Sequence, residues 1–304
     1  MGKKAFVFPG QGSQYVGMAK ELFDSSAEAR QMIQQADDAL GYSLSDILFQ
    51  GPEELLKQTE HTQPAIFLHS VVLSTFIKNI KPDMTAGHSL GEYSALVASG
   101  AVDFLPALKL VRTRGCAMQK AGEIEAGTMA AVIGLQAEKV VEVCAQATAE
   151  AGIVQCANFN SPGQIVISGT VEGVKKAMEL AKAGGAKLVK QLVVSGAFHS
   201  PLMQPAAEKL QEKLNETEFR DITVPVYANV TAKPVTSASE IKHLLFEQLG
   251  SPVRWEESVR NMVNDGADEF YEIGPGKVLQ GLIKRISPDV KCISIEKLSD
   301  IENI

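Results

Sequence analysis

Ser89 stands between two glycines in Gly87-His88-Ser89-Leu90-Gly91. A short apolar approach, Met84-Thr85-Ala86, runs into it, and a helical pattern, Glu92-Tyr93-Ser94-Ala95-Leu96-Val97, runs out. Strand, sharp turn and helix present the serine hydroxyl at the turn. Glycine on either side accepts the backbone angles and close approaches that such a turn demands. At a helix N-terminus, unpaired N–H groups and the helix dipole favour negative charge. An acyl transfer develops that charge on the oxygen of its tetrahedral intermediate. The bare G-x-S-x-G pattern is short and common; its strand-to-helix context gives it weight.

A serine hydroxyl needs a general base near neutral pH. The histidines are His61, His69, His88, His199 and His243. His88 adjoins the serine, but neighbours at a turn diverge. His61 lies before a helix start and His69 within that helix, with no evident partner, and His243 lies in a charged helical stretch of surface type. His199 sits in a glycine-containing loop, Ser195-Gly196-Ala197-Phe198-His199-Ser200-Pro201, where a cleft between domains would fall. A nucleophile-elbow hydrolase carries an acidic residue between serine and histidine in the chain. Here the only aspartate in that interval is Asp103. A histidine base would therefore be oriented by a backbone carbonyl or an amide. Arg112 and Arg114 are two apart on a helix and face different sides. One faces solvent; the other can present a two-pronged donor to a carboxylate, with a surface ion pair as the alternative. Neither H-E-x-x-H nor paired Cys or His spacing supports a metal site.

These residues must be positioned by a chain of 304 residues, enough for one large domain or one domain with an insertion. Hydrophobic content of 45% and charged content of 21% are those of a globular enzyme. A formal net charge of −7 argues against nucleic acid as a partner. No continuous apolar stretch is long enough for a membrane span, and the N-terminus lacks a signal-peptide pattern. Cys116, Cys144, Cys156 and Cys292 are scattered and read as reduced thiols, so a cytoplasmic location is expected.

Lys4 to Phe8 reads as a strand buried on both faces, closed by Pro9. The turn Gly10-Gln11-Gly12-Ser13-Gln14 follows, then a helical stretch from Met18 to Leu22. The glycine spacing fails the dinucleotide fingerprint, because its third glycine would fall on Tyr15. Helices broken at Gly41 and Gly51-Pro52 fill residues 26–58. Thr62-Gln63-Pro64 starts a deeply buried helix, since proline is favoured near helix starts. Another helix spans about 106–120. Residues 128–194 then read strand, helix, strand, strand, helix, strand. That βαββαβ order is the split-βαβ, ferredoxin-like unit, here an insertion. Its last strand is expected over Lys187 to Val194. Beyond it come a helix over about 201–214, a strand over 224–227, a helix over 240–249 and a strand over 269–273.

The motifs together resemble those of the malonyl-CoA:acyl carrier protein transacylases of fatty-acid and polyketide synthesis, along essentially the whole chain. They are Pro9-Gly10-Gln11-Gly12-Ser13-Gln14, Thr62-Gln63-Pro64-Ala65, Gly87-His88-Ser89-Leu90-Gly91-Glu92, Arg114-Gly115, Asn158 to Gln164, Phe198 to Met203 and Gly274-Pro275-Gly276. The resemblance implies an α/β fold: an α/β-hydrolase-like large domain with a mostly parallel sheet, from residues 1–126 and 197–304, and a ferredoxin-like small domain over 127–196. It implies Ser89 as nucleophile, His199 as base, the N–H groups of Gln11 and Leu90 as oxyanion hole, and Arg114 as receptor of the malonyl carboxylate. It also implies Gln248 as the orienter of the histidine and Asn160 as lying along the pantetheine arm. Malonyl-CoA would be the substrate, with no bound cofactor; the phosphopantetheine arrives on the acyl carrier protein. Gly196 departs from the bulkier residue common in polyketide domains, so the choice of acyl group rests mainly on Arg114. An acidic carrier needs a local basic patch on this acidic chain, and Lys187, Lys190, Lys284 and Arg285 are the candidates. A serine hydrolase shares the nucleophile and is the second reading; a non-catalytic scaffold is the third.

Overall fold

The computed structural model describes residues 2–302. Its strands are β1 (Lys3–Phe8), β2 (Met84–Gly87), β3 (Gly127–Ile133), β4 (Val154–Ser161), β5 (Gln164–Thr170), β6 (Leu188–Gln191), β7 (Val226–Tyr227), β8 (Pro234–Val235), β9 (Ala267–Ile273) and β10 (Lys291–Ile295). They form two sheets. The larger runs β10-β9-β1-β2-β7-β8 and is parallel except at its β7–β8 edge. The smaller runs β4-β5-β3-β6 with every pair antiparallel. The fold is thus mixed α/β.

β1 alternates between two apolar faces, as expected of a strand covered on both sides. Ala5 and Val7 pack with Trp255, Val259, Phe270 and Ile283 on one face. Phe6 and Phe8 face the helices on the other. The chain moves outward from β1 to β2 and β7, then crosses back to β9 and β10 on β1's other side. Strand order therefore reverses about β1. In open parallel sheets such a reversal leaves a crevice beyond the carboxyl ends of the strands. The turns after β1, β2 and β9 all open there.

The small sheet buries one face against the helices Ala137–Ala151 and Val171–Ala183, around Val132, Val140, Ile165, Ile167 and Val174. Its other face carries Met129, Ala131 and Val166 toward the crevice. A backbone seam joins β4 to the segment before the helix Trp255–Asn264: Val253 N–H donates to Ala157 O at 2.8 Å and Phe159 N–H to Val253 O at 2.9 Å.

Several boundaries differ from the sequence reading. The first helix is Lys20–Ser25 because Ala19 adopts a left-handed conformation, φ 63°. β6 ends at Gln191, so the expected strand to Val194 is cut short; Leu192 and Val194 instead line the crevice, with Val193 between them exposed. The buried helix begins at Thr59, a turn before the expected start, and holds Pro64 inside it. Proline has no N–H, so the carbonyl four residues back loses its helical donor. That carbonyl belongs to Glu60, and Arg112 Nη1 donates to it at 2.5 Å. Among the described residues no helix is long and apolar enough to cross a membrane.

Candidate active site

The turn after β2 is shaped by contact. A Cβ on Gly87 would lie 1.9 Å from the Gly91 carbonyl carbon, and one on Gly91 would lie 2.0 Å from Phe8 O. Both positions must be glycine for the helix Gly91–Ala98 to leave the strand so abruptly. Between them Ser89 takes φ 51°, a left-handed conformation that costs a residue with a Cβ about 1–2 kcal/mol. Such an angle persists only where surroundings over-determine it.

Those surroundings are polar and buried. Asn229, two residues after β7, accepts from Ser89 N–H through Oδ1 at 2.7 Å and donates through Nδ2 to Gly87 O at 2.7 Å. Gln248 Nε2 donates to Ser89 O at 3.0 Å. Glu92 Oε2 accepts from both Asn229 N–H and Gln248 Nε2, each at 2.9 Å. Burial pushes the Glu92 carboxyl up to about 7, against the hydrogen bonds from Asn229 and Gln248 and the nearby Arg114 charge.

Ser89 Oγ lies 2.8 Å from His199 Nε2. His199 Nδ1 faces two carbonyls, Gln248 O at 2.9 Å and Ser251 O at 3.2 Å. Carbonyls only accept, so Nδ1 carries the proton, Nε2 offers its lone pair, and the serine hydroxyl donates to it. His199 is buried and at φ 57°. Burial first, and the Arg114 charge second, push its imidazole down to about 3. The ring therefore stays neutral, the form in which it can take a proton. Asp103 is remote from this group: it forms an exposed ion pair with Arg220.

Arg114 is fully buried. Its Nη1 donates to Gln63 Oε1 at 2.7 Å, and its Nη2 lies 3.0 Å from both Ser89 Oγ and Gln248 Oε1. The Tyr93 ring lies under the guanidinium at 5.4 Å. Burial lowers the pKa of Arg114, but its acceptors are neutral amides and a hydroxyl, so no carboxylate bonds to it directly. Arg112, two residues earlier, makes a half-buried ion pair with Glu60 at 3.0 Å and lies 5.0 Å from the Tyr42 ring centroid.

A cavity of about 310 Å³ opens over Ser89 and His199. Gln11, Leu90 and Asn160 line it, with Met129, Val166, Leu192, Val194 and Phe198 as an apolar wall. The N–H of Ser89 is committed to Asn229. Asn160 Oδ1 accepts from His88 Nε2 at 2.8 Å. Arg285 donates to Gln164, itself at the cavity, at 2.6 Å. Lys187, Lys190 and Lys284 are exposed. Lys190 faces Ala131 across the β3–β6 pair, on the cavity side of the small sheet.

Glu92 and Asn229 were not singled out from the sequence. The signals were slight: an acidic residue in the first turn after the serine motif, and an asparagine two residues after a short strand.

A serine on a strained turn, hydrogen-bonded to a neutral histidine under a cavity, is an arrangement suited to acyl transfer. The sequence profile of the acyl transferase domain matches residues 5–296, and the chain belongs to that family. It is 49% identical over 304 residues to the malonyl CoA-acyl carrier protein transacylase of Bacillus subtilis (strain 168), covering 99% of this chain and 96% of the relative. Identity to the corresponding Staphylococcus aureus (strain COL) protein is 44% over 302 residues, covering 99% and 98%. Among solved structures, the malonyl CoA-acyl carrier protein transacylase of Coxiella burnetii superposes with a TM-score of 0.96 at 41% identity, covering 99% and 96%. A malonyl-transacylase in complex with its type II PKS acyl-carrier protein gives 0.94 at 42% identity, covering 99% and 98%.

Proposed function

We propose that the chain transfers a malonyl group from malonyl-CoA to the phosphopantetheine thiol of an acyl carrier protein, through a malonyl-Ser89 intermediate. One observation carries the reading: Ser89 Oγ lies within 3.0 Å of both a neutral His199 Nε2 and the Arg114 guanidinium. Nucleophile, base and carboxylate receptor meet at one oxygen. The names of the relatives agree with this substrate pair.

His199 Nε2 takes the Ser89 proton as Oγ attacks the thioester carbonyl. The N–H groups of Gln11 and Leu90 hold the oxyanion. The intermediate collapses by breaking the C–S bond, and the CoA sulfur leaves with the proton from His199. The carrier thiol then repeats the sequence in reverse, giving its proton to His199 and returning Ser89 to its hydroxyl. Arg114 holds the malonyl carboxylate and so fixes the carbonyl over Ser89. Gln248 orients His199 through its carbonyl, and Asn160 lies along the pantetheine arm. Lys187, Lys190, Lys284 and Arg285 form the docking patch for the acidic carrier. No resident cofactor takes part in this scheme.

The small sheet's order β4-β5-β3-β6, all antiparallel, supports a ferredoxin-like domain over 127–196. The parallel sheet with its serine turn supports an α/β-hydrolase-like domain from 1–126 and 197–304. Intact mass after brief incubation with malonyl-CoA should show one malonyl adduct, lost in Ser89→Ala and formed about 10³-fold or more slowly in His199→Ala. An adduct on the Ser89→Ala protein would overturn the assignment.

A further inference from the structure

We propose that Glu92 is a positioning residue for the reaction: its carboxylate sets Asn229 and Gln248, and through them the backbone of Ser89. The inference rests on the reading of Ser89 as nucleophile and adds a residue that touches neither substrate nor reacting atoms.

Three observations carry it. First, Ser89 is held on both sides of its strained φ, its N–H by Asn229 Oδ1 at 2.7 Å and its carbonyl by Gln248 Nε2 at 3.0 Å. Second, both holders bond to one oxygen, Glu92 Oε2. Third, all three are buried, with Glu92 3% exposed and Asn229 and Gln248 fully covered. Water therefore cannot substitute for a lost partner, and the network depends on its own members.

The chemistry of the partners explains why position 92 carries a carboxylate. An amide can face either way, and its neighbours decide. Gln248 Nε2 faces only acceptors, Glu92 Oε2 and Ser89 O, while Gln248 Oε1 faces the donor Arg114 Nη2. An ionised carboxylate has no donor and admits one orientation. An amide at position 92 could turn its own NH₂ toward Gln248 and favour the opposite one. Gln248 Nε2 would then face the Arg114 guanidinium, donor against donor. The same flip would release Ser89 O and leave the left-handed turn half supported. The geometry holds in either protonation state: Oε2 already accepts from two donors, so a proton taken up by the buried carboxyl sits on Oε1 and Oε2 remains an acceptor toward Gln248.

The test separates the turn from the pocket. A fluorophosphonate probe reacts with an activated serine and carries no carboxylate for Arg114. Glu92→Gln should lower its second-order labelling rate, and the single-turnover rate of malonyl transfer from malonyl-CoA, by about 10–100-fold, the size of a lost charge-assisted hydrogen bond. The KM for malonyl-CoA should stay within about threefold. A structural role alone would reduce the fraction of sites that react and leave the rate constant per reactive site unchanged; that result would overturn the proposal. Should Glu92→Gln fail to fold, Asn229→Ala removes the acceptor of Ser89 N–H and must show the same loss in rate constant. If both fold, the double variant should lose little more than either alone, because they act through one clamp; independent losses would overturn it. Ser89→Ala is the control for the underlying reading. Labelling that survives it overturns the nucleophile assignment, whereas an inert Ser89→Ala beside a Glu92→Gln protein of normal rate overturns only the role of Glu92.

Discussion

Ser89 and His199 both sit at positive φ, 51° and 57°, yet the chain holds them by different means. Ser89 is held by elements around the large sheet: two glycines that admit close backbone contact, and the amides of Asn229 and Gln248. His199 is held from β4 of the small sheet and from the loop that follows the helix Ala238–Glu247. Gln155 on β4 donates to His199 O at 2.8 Å and to Gly250 O at 3.2 Å. On the ring side, the carbonyls of Gln248 and Ser251 accept from Nδ1. Within the loop, Ser200 Oγ donates to Ala197 O at 2.6 Å. Gln248 reaches both residues, but the base alone is also tied to the small sheet, through Gln155. A disturbance of the seam should reach the histidine and spare the serine.

Short of removing Ser89 or His199 themselves, the largest effect should come from the serine side. Arg114 touches Ser89 Oγ and not His199 by hydrogen bond. Removing one partner of a buried charge pair typically costs ~2–5 kcal/mol. Arg114→Ala should therefore slow acyl-Ser89 formation from malonyl-CoA by ~10²-fold or more, while acetyl-CoA reacts at an unchanged or higher rate. Arg114→Lys should recover part of the malonyl rate, since an ammonium keeps the charge and loses the fork. Equal losses for the two thioesters would show that Arg114 supports the turn and not the carboxylate.

The histidine side is broken separately by Gln155→Ala, which removes one hydrogen bond to the His199 carbonyl and one to Gly250. We expect about a tenfold loss in acylation rate, with acetyl and malonyl affected alike. A loss confined to malonyl would place the residue with the substrate and end the distinction drawn between the two sides.

Acidity sharpens the same contrast. His199 is held down to about 3 by burial and the Arg114 charge, far below the value near 6.5 of a free histidine. Fluorophosphonate labelling of Ser89 should therefore show no inflection near pH 6.5. Stability behaves otherwise. Between pH 6.5 and about 3 the unfolded chain takes up a proton that native His199 refuses, so stability falls as pH falls through that window. His61, His69 and His88, also lowered by burial, add with the same sign, while the buried carboxyls Glu92 and Glu272, both raised to about 7, oppose it over the same window and are outnumbered by the four histidines. Urea titrations at pH 7 and pH 5 measure the difference; a chain as stable at the lower pH would refute it.

The smallest effect should come from the rim. Reversing Lys187 and Arg285 together should raise the KM for carrier protein several-fold at low salt, roughly the ~1 kcal/mol scale of exposed charges. Acylation from malonyl-CoA should stay intact. A carrier KM unchanged at low ionic strength would exclude this patch, because screening could not then hide the effect.

The contrast also explains what could be read from the residues alone. The turn at Ser89 announces itself because its requirements are local: glycines two residues away and a helix starting at once. The βαββαβ order of 127–191 is legible for the same reason, each element carrying its own apolar period. The helices Trp255–Asn264 and Val278–Ile286 and the strand β10 were left unassigned. Their apolar residues, Trp255, Val259, Leu279 and Ile283 among them, make sense only against the far face of β1 and β9. The start of the helix Thr59–Thr75 was misplaced for a related reason. Proline favours the first turn in general, and only an arginine from another helix makes Pro64 acceptable further in. Glu92 and Asn229 lie 137 residues apart, and no local pattern links a carboxylate to an amide over such a distance.

That proline has a consequence for Arg112. The carbonyl it frees on Glu60 is taken by Arg112, and three residues on Gln63 is taken by Arg114. Two guanidiniums from one helix thus meet two consecutive steps of another, like rungs fastened to both rails. A free arginine side chain carries about 2 kcal/mol of rotamer entropy. Here much of that freedom is surrendered as the chain folds, before any carboxylate arrives. A ligand that meets an already stationary partner has less disorder to remove on binding. Substituting Pro64 would return the Glu60 carbonyl to its own helix and loosen the rung at Arg112. The cost would appear first at Arg112, left with its ion pair to the Glu60 carboxylate, while Arg114 keeps its own three acceptors.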